Sequence, residues 1–388
     1  MNSRTPETHL GDGGLRRLIE RIADPRGAVV VLLIVILIAI VVLNPSFAEP
    51  GALMRFIQRV SPVAIVAIGQ YFVIVSGEFD LSMGAVVTAQ VMTAGHLIGE
   101  DDSKTVPVLI IMLVIGVVVG IVNGLATTLL KVPSFIVTLG TMLVIHGAVM
   151  WWTGGAATGN PAESFRQLGR GGIEGIPVLG LLPYAVLILI AAIVFAVWIS
   201  RRPFGRTVVA IGDNAQAVSF AGANVWRTKT LAFVLSSLAA TVAGVLLAGY
   251  AGVHPSVGQG YEFTAITAVV LGGVVLGGGR GTVIGALIGA FTLESLFTLL
   301  NFTSVPATMR DAIQGAIIIA AVAYSGVVFA KKRKRPTTSA DSTSASDPTD
   351  PTDPTDPTGS TEPRDPSTTS AGASSPIQLT GGDDAARK

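Results

Sequence analysis

Long apolar segments, separated by short polar turns, follow one another from residue 28 to residue 330. The first of them, Ala28–Leu43, is a run of sixteen apolar residues, and a helix needs roughly 20 such residues to cross a bilayer core of about 30 Å. The pattern predicts an all-α polytopic membrane protein with about ten transmembrane helices, at 28–44, 56–76, 82–98, 107–130, 132–152, 181–200, 229–250, 263–277, 281–300 and 309–330.

The first apolar run could also be a signal peptide. It is longer than the apolar core of a signal peptide, and Leu43-Asn44-Pro45 offers no small-x-small cleavage site. We therefore expect it to be retained as the first span.

Composition agrees with a membrane protein. Half of the 388 residues are hydrophobic and 13% are charged, against about 25% in an average soluble domain. The absence of cysteine excludes disulfides, thiolate metal sites and cysteine nucleophiles, and the four histidines lack a metal-binding spacing. We expect no metal site, no catalytic residue and no nucleic-acid partner, because neither the motifs nor the net charge of +1 indicates one.

The distribution of Lys and Arg predicts the orientation. If the N-terminus is cytoplasmic, 20 of the 26 basic residues fall in cytoplasmic segments, including the block Lys331–Arg335 after the last span. An even number of spans then places both termini in the cytoplasm. We divide the chain into a cytoplasmic segment at 1–27, a transmembrane domain at 28–330, and a basic anchor with a disordered cytoplasmic tail at 331–388, where Asp-Pro-Thr occurs four times in succession.

Two glycine-rich helix faces indicate an internal repeat. Three glycines at a spacing of four occur in the fourth predicted span and again in the ninth, at Gly116, Gly120 and Gly124 and at Gly281, Gly285 and Gly289. Such faces let helices approach closely. Five spans in each half predict that the second half is inserted upside down, which is the inverted repeat of many transporters.

The polar segment 201–229 interrupts the apolar pattern. Within it, Asp213 or Asn214 can cap a short helix, and Gly222 can end that helix in the left-handed conformation. Ala217, Val218 and Phe220 make part of this helix apolar. The residues alone leave two interpretations open, an ordinary solvated connector and a docking element for a soluble partner.

Polar residues beside or within the spans are the candidates for chemistry. Asp80 or Ser82 can cap the third span, and Asp80 can also lie on a transport path. The stretch from Gly272 to Gly281 lacks a Gly-Lys-Ser/Thr and predicts a tight turn. Polar groups at membrane depth tend to face a cavity or the bundle interior, and here they are Asn123, Thr138, Thr141, His146, Thr264, Thr267, Glu294 and Gln314.

Several motifs, taken in order, resemble those of one family, the permease subunits of bacterial ribose/galactose/xylose-type carbohydrate ABC importers. They are Val75–Gly84, Pro133–Thr141, Thr153–Gly155, Phe204–Asn214, Gly260–Gly273 and Gly278–Gly281. The resemblance runs from Gly51 to about Ala330. It departs from the family at Glu78, where a neutral residue is more usual, and at Asp213–Ala217, where Gly-Asn-x-x-Ala-Ala is more usual.

The resemblance implies a function and a set of partners. It implies a permease of the bacterial plasma membrane that passes a monosaccharide, delivered by an extracytoplasmic sugar-binding protein. It also implies a second permease copy, as a homodimer or with a homologous permease, and a cytoplasmic ABC ATPase that holds the ATP and magnesium. The coupling residues would be Asp213, Asn214, Ala217, Phe220 and Gly222. We expect the translocation pathway at Asp80, Ser82, Asn123, Thr138, Glu262 and Thr264.

Other functions remain open at this point. The related permeases for branched-chain amino acids share the architecture, and a nucleoside permease is a further alternative. An ion-coupled secondary transporter would need buried ionisable residues, for which Glu294, Glu78 and Asp80 are the candidates. A membrane enzyme would need converging carboxylates or a metal site, which the sequence does not indicate.

Overall fold

The computed structural model describes residues 25–320, except for residues 158, 304, 307, 308 and 310. The predicted basic block Lys331–Arg335, the disordered tail and most of the segment 1–27 lie outside the described residues. The helices are α1 Pro25–Leu43, α2 Pro50–Val75, α3 Met83–Ile98, α4 Thr105–Thr128, α5 Ser134–Thr153, α6 Glu163–Arg170, α7 Tyr184–Arg201, α8 Pro203–Phe220, α9 Val225–Tyr250, α10 Tyr261–Leu271 and α11 Val283–Phe302. A further helical segment, α12, covers Asp311–Ala320, and short 3-10 turns lie at Pro45–Ala48 and Asp102–Lys104.

Six helices among the described residues are long and apolar enough to cross a membrane. They are α2, α4 with the 3-10 turn before it, α5, α7, α9 and α11. Four shorter apolar helices, Gly27–Leu43, Met83–Ile98, Tyr261–Leu271 and Asp311–Ala320, fall in the other four predicted segments. Residues 321–330 of the tenth predicted span lie outside the described residues. A mainly helical protein with several spans is therefore confirmed.

Two predicted spans differ from the observed helices in length. The second begins at Pro50 instead of residue 56 and continues through Pro62 as one helix of 26 residues. The eighth ends at Leu271, and its 11 residues rise only about 16 Å, roughly half of a bilayer core. Backbone turns at Gly272 and Gly273 stop this helix before the predicted residue 277.

The core is built around α2 and α9. The most apolar window of α2 is 89% buried and that of α9 is 61% buried, whereas the corresponding share is 28% or less in the spans of α4, α5 and α7. The outward side chains of those three helices are large and apolar, with Val114, Val144 and Val194 among the most exposed. In a membrane this surface faces lipid or another apolar partner.

The glycine faces lie where helices meet, with one exception. A Cβ atom built on Gly120 would lie 2.5 Å from Val234 Cα in α9, and one on Gly116 would lie 2.3 Å from Thr241 Oγ1. Gly124 likewise contacts Thr230 of α9, while Gly289 contacts Ala268 of α10 and Gly285 contacts Gly272, directly after α10. The assignment of Gly281 to this face was wrong, since it precedes α11 with φ of +140° and contacts the side chain of Val274.

An extended hairpin makes the fold more than purely helical. Strands β1 Gly172–Ile176 and β2 Gly180–Pro183 pair antiparallel directly after α6. Neither element was predicted, because the strands have five and four residues and carry glycines. Gln58 Nε2 of α2 donates a 2.8 Å hydrogen bond to Gly169 O of α6, so this insertion is held against the core.

Candidate functional site

A short capped helix lies within the polar segment 201–229, as the sequence predicts. The backbone of α8 leaves helical geometry at Asn214, with φ of −158° and ψ of 96°. Asn214 Oδ1 accepts a 2.9 Å hydrogen bond from the backbone N–H of Ala217. Asn214, and not Asp213, therefore caps a second helix that runs from residue 215 to Phe220, which we call the coupling helix.

Gly222 ends the coupling helix in the predicted conformation. Its φ is +81°, in the left-handed region that favours glycine. The N–H of Gly222 donates to Ser219 O at 3.0 Å, and the N–H of Ala223 donates to Val218 O at 3.2 Å. This pair of bonds is a Schellman motif, which satisfies the last carbonyls of the helix.

The segment before this cap is helical, and is not an ordinary solvated connector. Residues from Pro203 to Asp213 are helical, and only Arg202 separates them from α7. Pro203 occupies the first turn of the helix, where its missing N–H needs no partner. The coupling helix thus follows directly on a helical segment, residues 203–213, which we call its support.

The exposed surface of the coupling helix carries an aromatic side chain. Phe220 is 82% exposed, and Asp213, Ala217 and Gly222 are also exposed. Burying a phenylalanine side chain is worth about 1.5–3 kcal/mol, so contact of this ring with another apolar surface would be favourable.

A buried polar network surrounds Asp80. Its Oδ1 accepts hydrogen bonds from Ser82 N and Ser82 Oγ at 2.9 and 2.6 Å, and its Oδ2 accepts one from Ser236 Oγ of α9 at 2.6 Å. Asn123 Nδ2 of α4 donates to Ser82 Oγ at 2.9 Å, and Thr141 Oγ1 of α5 donates to Asn123 Oδ1 at 2.6 Å. The structure therefore brings together three predicted pathway residues, Asp80, Ser82 and Asn123.

The predicted helix cap at this position was wrong. Ser82 precedes α3 but makes no capping hydrogen bond, and Asp80 bonds to Ser82 and to α9 instead of to the first turn of α3. Asp80 and Ser82 are both fully buried. The bond to Ser236 joins residues far apart in sequence, so the arrangement joins separate helices instead of capping one.

The remaining predicted pathway residues make no side-chain hydrogen bond to Asp80, Ser82 or Asn123 among the described residues. Thr138 Oγ1 donates to Ser134 O of its own helix at 2.8 Å and approaches Phe79 O, next to Asp80, at 3.4 Å. Glu262 and Thr264 lie at the start of α10, where Gln314 Nε2 approaches Thr264 Oγ1 at 3.4 Å. Glu262 packs against α3, because a Cβ on Gly84 would meet its carboxylate.

A cavity of about 780 Å³ opens beside Glu262. Carboxylate and amide groups project into it together with apolar side chains. Its lining residues include Gln259, Glu262, Phe263, Asp311, Gln314 and Ile319. Side chains of this kind can hydrogen-bond hydroxyl groups and cover an apolar face of a small polar molecule.

Comparison with known proteins decides the family. The family described as branched-chain amino acid transport system / permease component matches residues 52–322. The chain belongs to this permease family. The permease is a multi-pass protein of the inner membrane, and permeases of this kind work with an ATPase and a substrate-binding protein.

Individual relatives resemble the permease over most of their length. The ribose import permease protein of Bacillus subtilis (strain 168) is 37% identical over 300 residues, which are 75% of this chain and 89% of the relative. The L-arabinose transport system permease protein of Escherichia coli (strain K12) is 34% identical over 81% of this chain and 94% of its own. An autoinducer 2 import system permease protein of Enterobacter sp. (strain 638) is 32% identical over 74% and 82%. No solved structure matches.

Proposed function

We propose that this chain is the permease subunit of an ATP-driven importer that moves a monosaccharide into the cell. Its relatives in the family include permeases named for ribose and L-arabinose. The observation that carries the mechanism is the coupling helix, which is capped at both ends and presents an 82% exposed Phe220. ATP and magnesium would be held by the partner ATPase.

The proposed topology has ten spans in a 5+5 inverted repeat with both termini in the cytoplasm. The six long and four short apolar helices support the number of spans. The bias of Lys and Arg supports the orientation, which places segment 201–229 on the cytoplasmic side. The domain limits are those of the sequence, with the transmembrane domain at 28–330 between a cytoplasmic segment at 1–27 and the tail at 331–388.

Coupling would act through the surface formed by Asp213, Asn214, Ala217, Phe220 and Gly222. Asn214 and Gly222 hold the ends of the helix, whereas Ala217 and Phe220 meet the ATPase. Closure of the ATPase upon ATP binding would move the helix and shift the permease between outward and inward states. Inverting a two-state equilibrium from 1:99 to 99:1 takes about 5.5 kcal/mol of differential binding.

The translocation pathway would run past the Asp80 network and the cavity beside Glu262. The cavity lies at α10 and α12, and a second permease copy would complete its walls, as a homodimer or with a homologous permease. Its amide and carboxylate groups suit the hydroxyls of a sugar. The half-length α10 starts beside α3, and interrupted helices of this kind surround substrate sites in transporters.

The docking assignment is tested by Ala217→Arg and Phe220→Ala in the tagged permease. Both variants should insert normally but lose the co-purifying ATPase and ATP-driven uptake. Ala217→Arg places a charge against the partner, and Phe220→Ala removes the ring that would contact it. Truncation of an interface anchor typically costs 2 kcal/mol or more, about a 30-fold loss of affinity. The matched control is Phe302→Ala, a ring 41% exposed at the end of α11. Normal uptake by Ala217→Arg would overturn the docking assignment.

The substrate is tested on the partner that co-purifies from the native membrane. We expect a peripheral ATPase and a secreted or lipid-anchored protein that binds monosaccharides. A binding protein that takes branched-chain amino acids or nucleosides would mean that the permease moves one of those solutes instead of a sugar. A permease that purifies alone and transports without ATP would favour the ion-coupled class.

A further inference from the structure

The residues between α2 and α3 touch nearly every part of the candidate site. We call Ser76–Ser82 the connecting segment. Phe79 N–H donates to Ser134 Oγ of α5 at 3.1 Å, and Asp80 accepts from Ser236 of α9. Ser82 accepts from Asn123 of α4. The connecting segment is therefore hydrogen-bonded to three helices around the proposed pathway.

The same segment also meets the support of the coupling helix. A Cβ on Gly212 would lie 1.9 Å from Val75 O, and one on Gly278 would lie 2.9 Å from the Cα atoms of both Gly77 and Gly212. Gly279 N–H donates to Val75 O at 2.9 Å. The backbone thus packs without side chains between three places: the end of α2 with Gly77, Gly212, and Gly278 with Gly279. Gly212 lies two residues before the cap at Asn214.

The start of α9, which follows the coupling helix after a short turn, is tied to the connecting segment by charge. Lys229, in the first turns of α9, forms an ion pair with the carboxylate of Glu78. The two side chains are only 15% and 17% exposed, so the pair is shielded from water much more than ordinary surface pairs. The connecting segment is therefore near the backbone at Gly212, just before the coupling helix, and is ion-paired to α9, just after it.

The ion pair forms part of the wall of a cavity of about 520 Å³ next to the coupling helix. The lining includes Ser219, Gly222 and Asn224 from the end of that helix and the turn after it. Of the described residues that line it, Glu78 alone is acidic, whereas Lys131 and Lys229 are basic. Loss of the Glu78 charge would leave two basic residues, Lys131 and Lys229, as the charged groups among the described lining residues.

We propose that Glu78 and Lys229 are a positioning pair that transmits movement of the coupling helix, through the connecting segment, to the helices around Asp80. The proposal rests on the proposed function, since it assigns a role within ATP-driven import. When Lys229 shifts, the ion pair moves Glu78 with it. Glu78 is two residues from Asp80, whose carboxylate accepts a hydrogen bond from Ser236 of α9. Without the pair, the coupling helix would move while the pathway helices respond less.

The test uses the whole complex of permease, ATPase and binding protein in proteoliposomes. ATP hydrolysis and uptake of radiolabelled ribose and arabinose are measured together for Glu78→Gln, Lys229→Gln and the swap Glu78→Lys/Lys229→Glu. We expect each single variant to keep the ATPase subunit bound but to move at least about fivefold less sugar per ATP hydrolysed, the lower end of common coupling between sites. The swap should recover most of the ratio, since it restores opposite charges.

Lys104→Gln is the matched control, because Lys104 pairs with Asp101 in an exposed position, 57% and 49% accessible. Its ratio of sugar to ATP should equal that of the wild type. A normal ratio in Glu78→Gln, or no recovery in the swap, overturns the positioning role. A fall in protein yield and melting temperature with an unchanged ratio would reduce the pair to a structural contact and would also overturn it.

Failure of the proposed function gives a different result. In that case the wild-type complex takes up neither sugar in an ATP-dependent way. The positioning role is then decided by ATP hydrolysis, measured as the rate of the complex relative to the isolated ATPase. Single variants that leave this relative rate unchanged count against the pair, and a change reversed by the swap supports it.

Discussion

Replacing Gly120 by alanine should destabilise the contact between α4 and α9. The added Cβ would lie 2.5 Å from Val234 Cα, 2.8 Å from Val234 N and 2.9 Å from Phe233 O. Ordinary van der Waals contact begins at 3.4 Å, so the helices must separate by about 0.9 Å at this point. All three atoms belong to the backbone, so no side chain can rotate away.

The expected cost follows from overpacking. Inserting a methyl group into a well-packed core typically costs 1–3 kcal/mol. The shift in melting temperature per kcal/mol falls with chain length and is about 1–2 °C for a chain of 388 residues, so we expect a decrease of about 1–5 °C. Fluorescence-detected thermal unfolding of the purified permease in detergent measures it.

Gly140→Ala is the matched control for this substitution. Gly140 is also a helical glycine, in α5, but nothing lies within 4 Å of the place where its Cβ would stand. There alanine should be neutral or stabilising by up to about 1 kcal/mol, because glycine is the poorer helix former. The reasoning is refuted if Gly120→Ala unfolds at the same temperature as Gly140→Ala.

Two further substitutions probe the coupling helix and the buried network. Asn214→Ala should weaken the coupling helix by about 0.5–2 kcal/mol, since its N-cap bond to Ala217 is lost, and should reduce the amount of ATPase that co-purifies. Asn214→Asp keeps the cap and should behave as the wild type. Equal amounts of co-purified ATPase from both variants would contradict the capping role. Asp80→Ala should lower the melting temperature more than Asp80→Asn, because each buried hydroxyl left without its partner costs about 1–3 kcal/mol while asparagine can still accept from Ser82. Equal melting temperatures for the two Asp80 variants would show that the network does not stabilise the fold.

Local features of this chain were predictable from its sequence. The cap at Asn214 and the stop at Gly222 depend on residues within one helical turn, and both are present in the structure. The glycines of α4 lie on one face because of the helical period, so their close contact with another helix followed from spacing alone. The identity of that helix, α9, did not follow.

Long-range partners account for what the sequence did not reveal. Asp80 was interpreted as a possible cap because only its neighbours in sequence were visible, whereas its partner Ser236 lies 156 residues away. Glu78 stood out as a departure from the family, but its pairing with Lys229 spans 151 residues. Gly281 shares the spacing of Gly285 and Gly289, yet the turn before α11 takes it off the helix.

The partnership of α4 with α9 has a consequence for how the chain is made. Gly120 leaves the ribosome about 110 residues before Val234, its closest neighbour in the finished protein. At the usual synthesis rate of about 5–20 residues per second, that interval is on the order of ten seconds. During this time the glycine face of α4 lies in the membrane without the helix that it fits. Assembly of the first half is therefore completed only after the seventh apolar helix has been inserted, and a chain that stops at the midpoint would present an unfinished surface to membrane quality control.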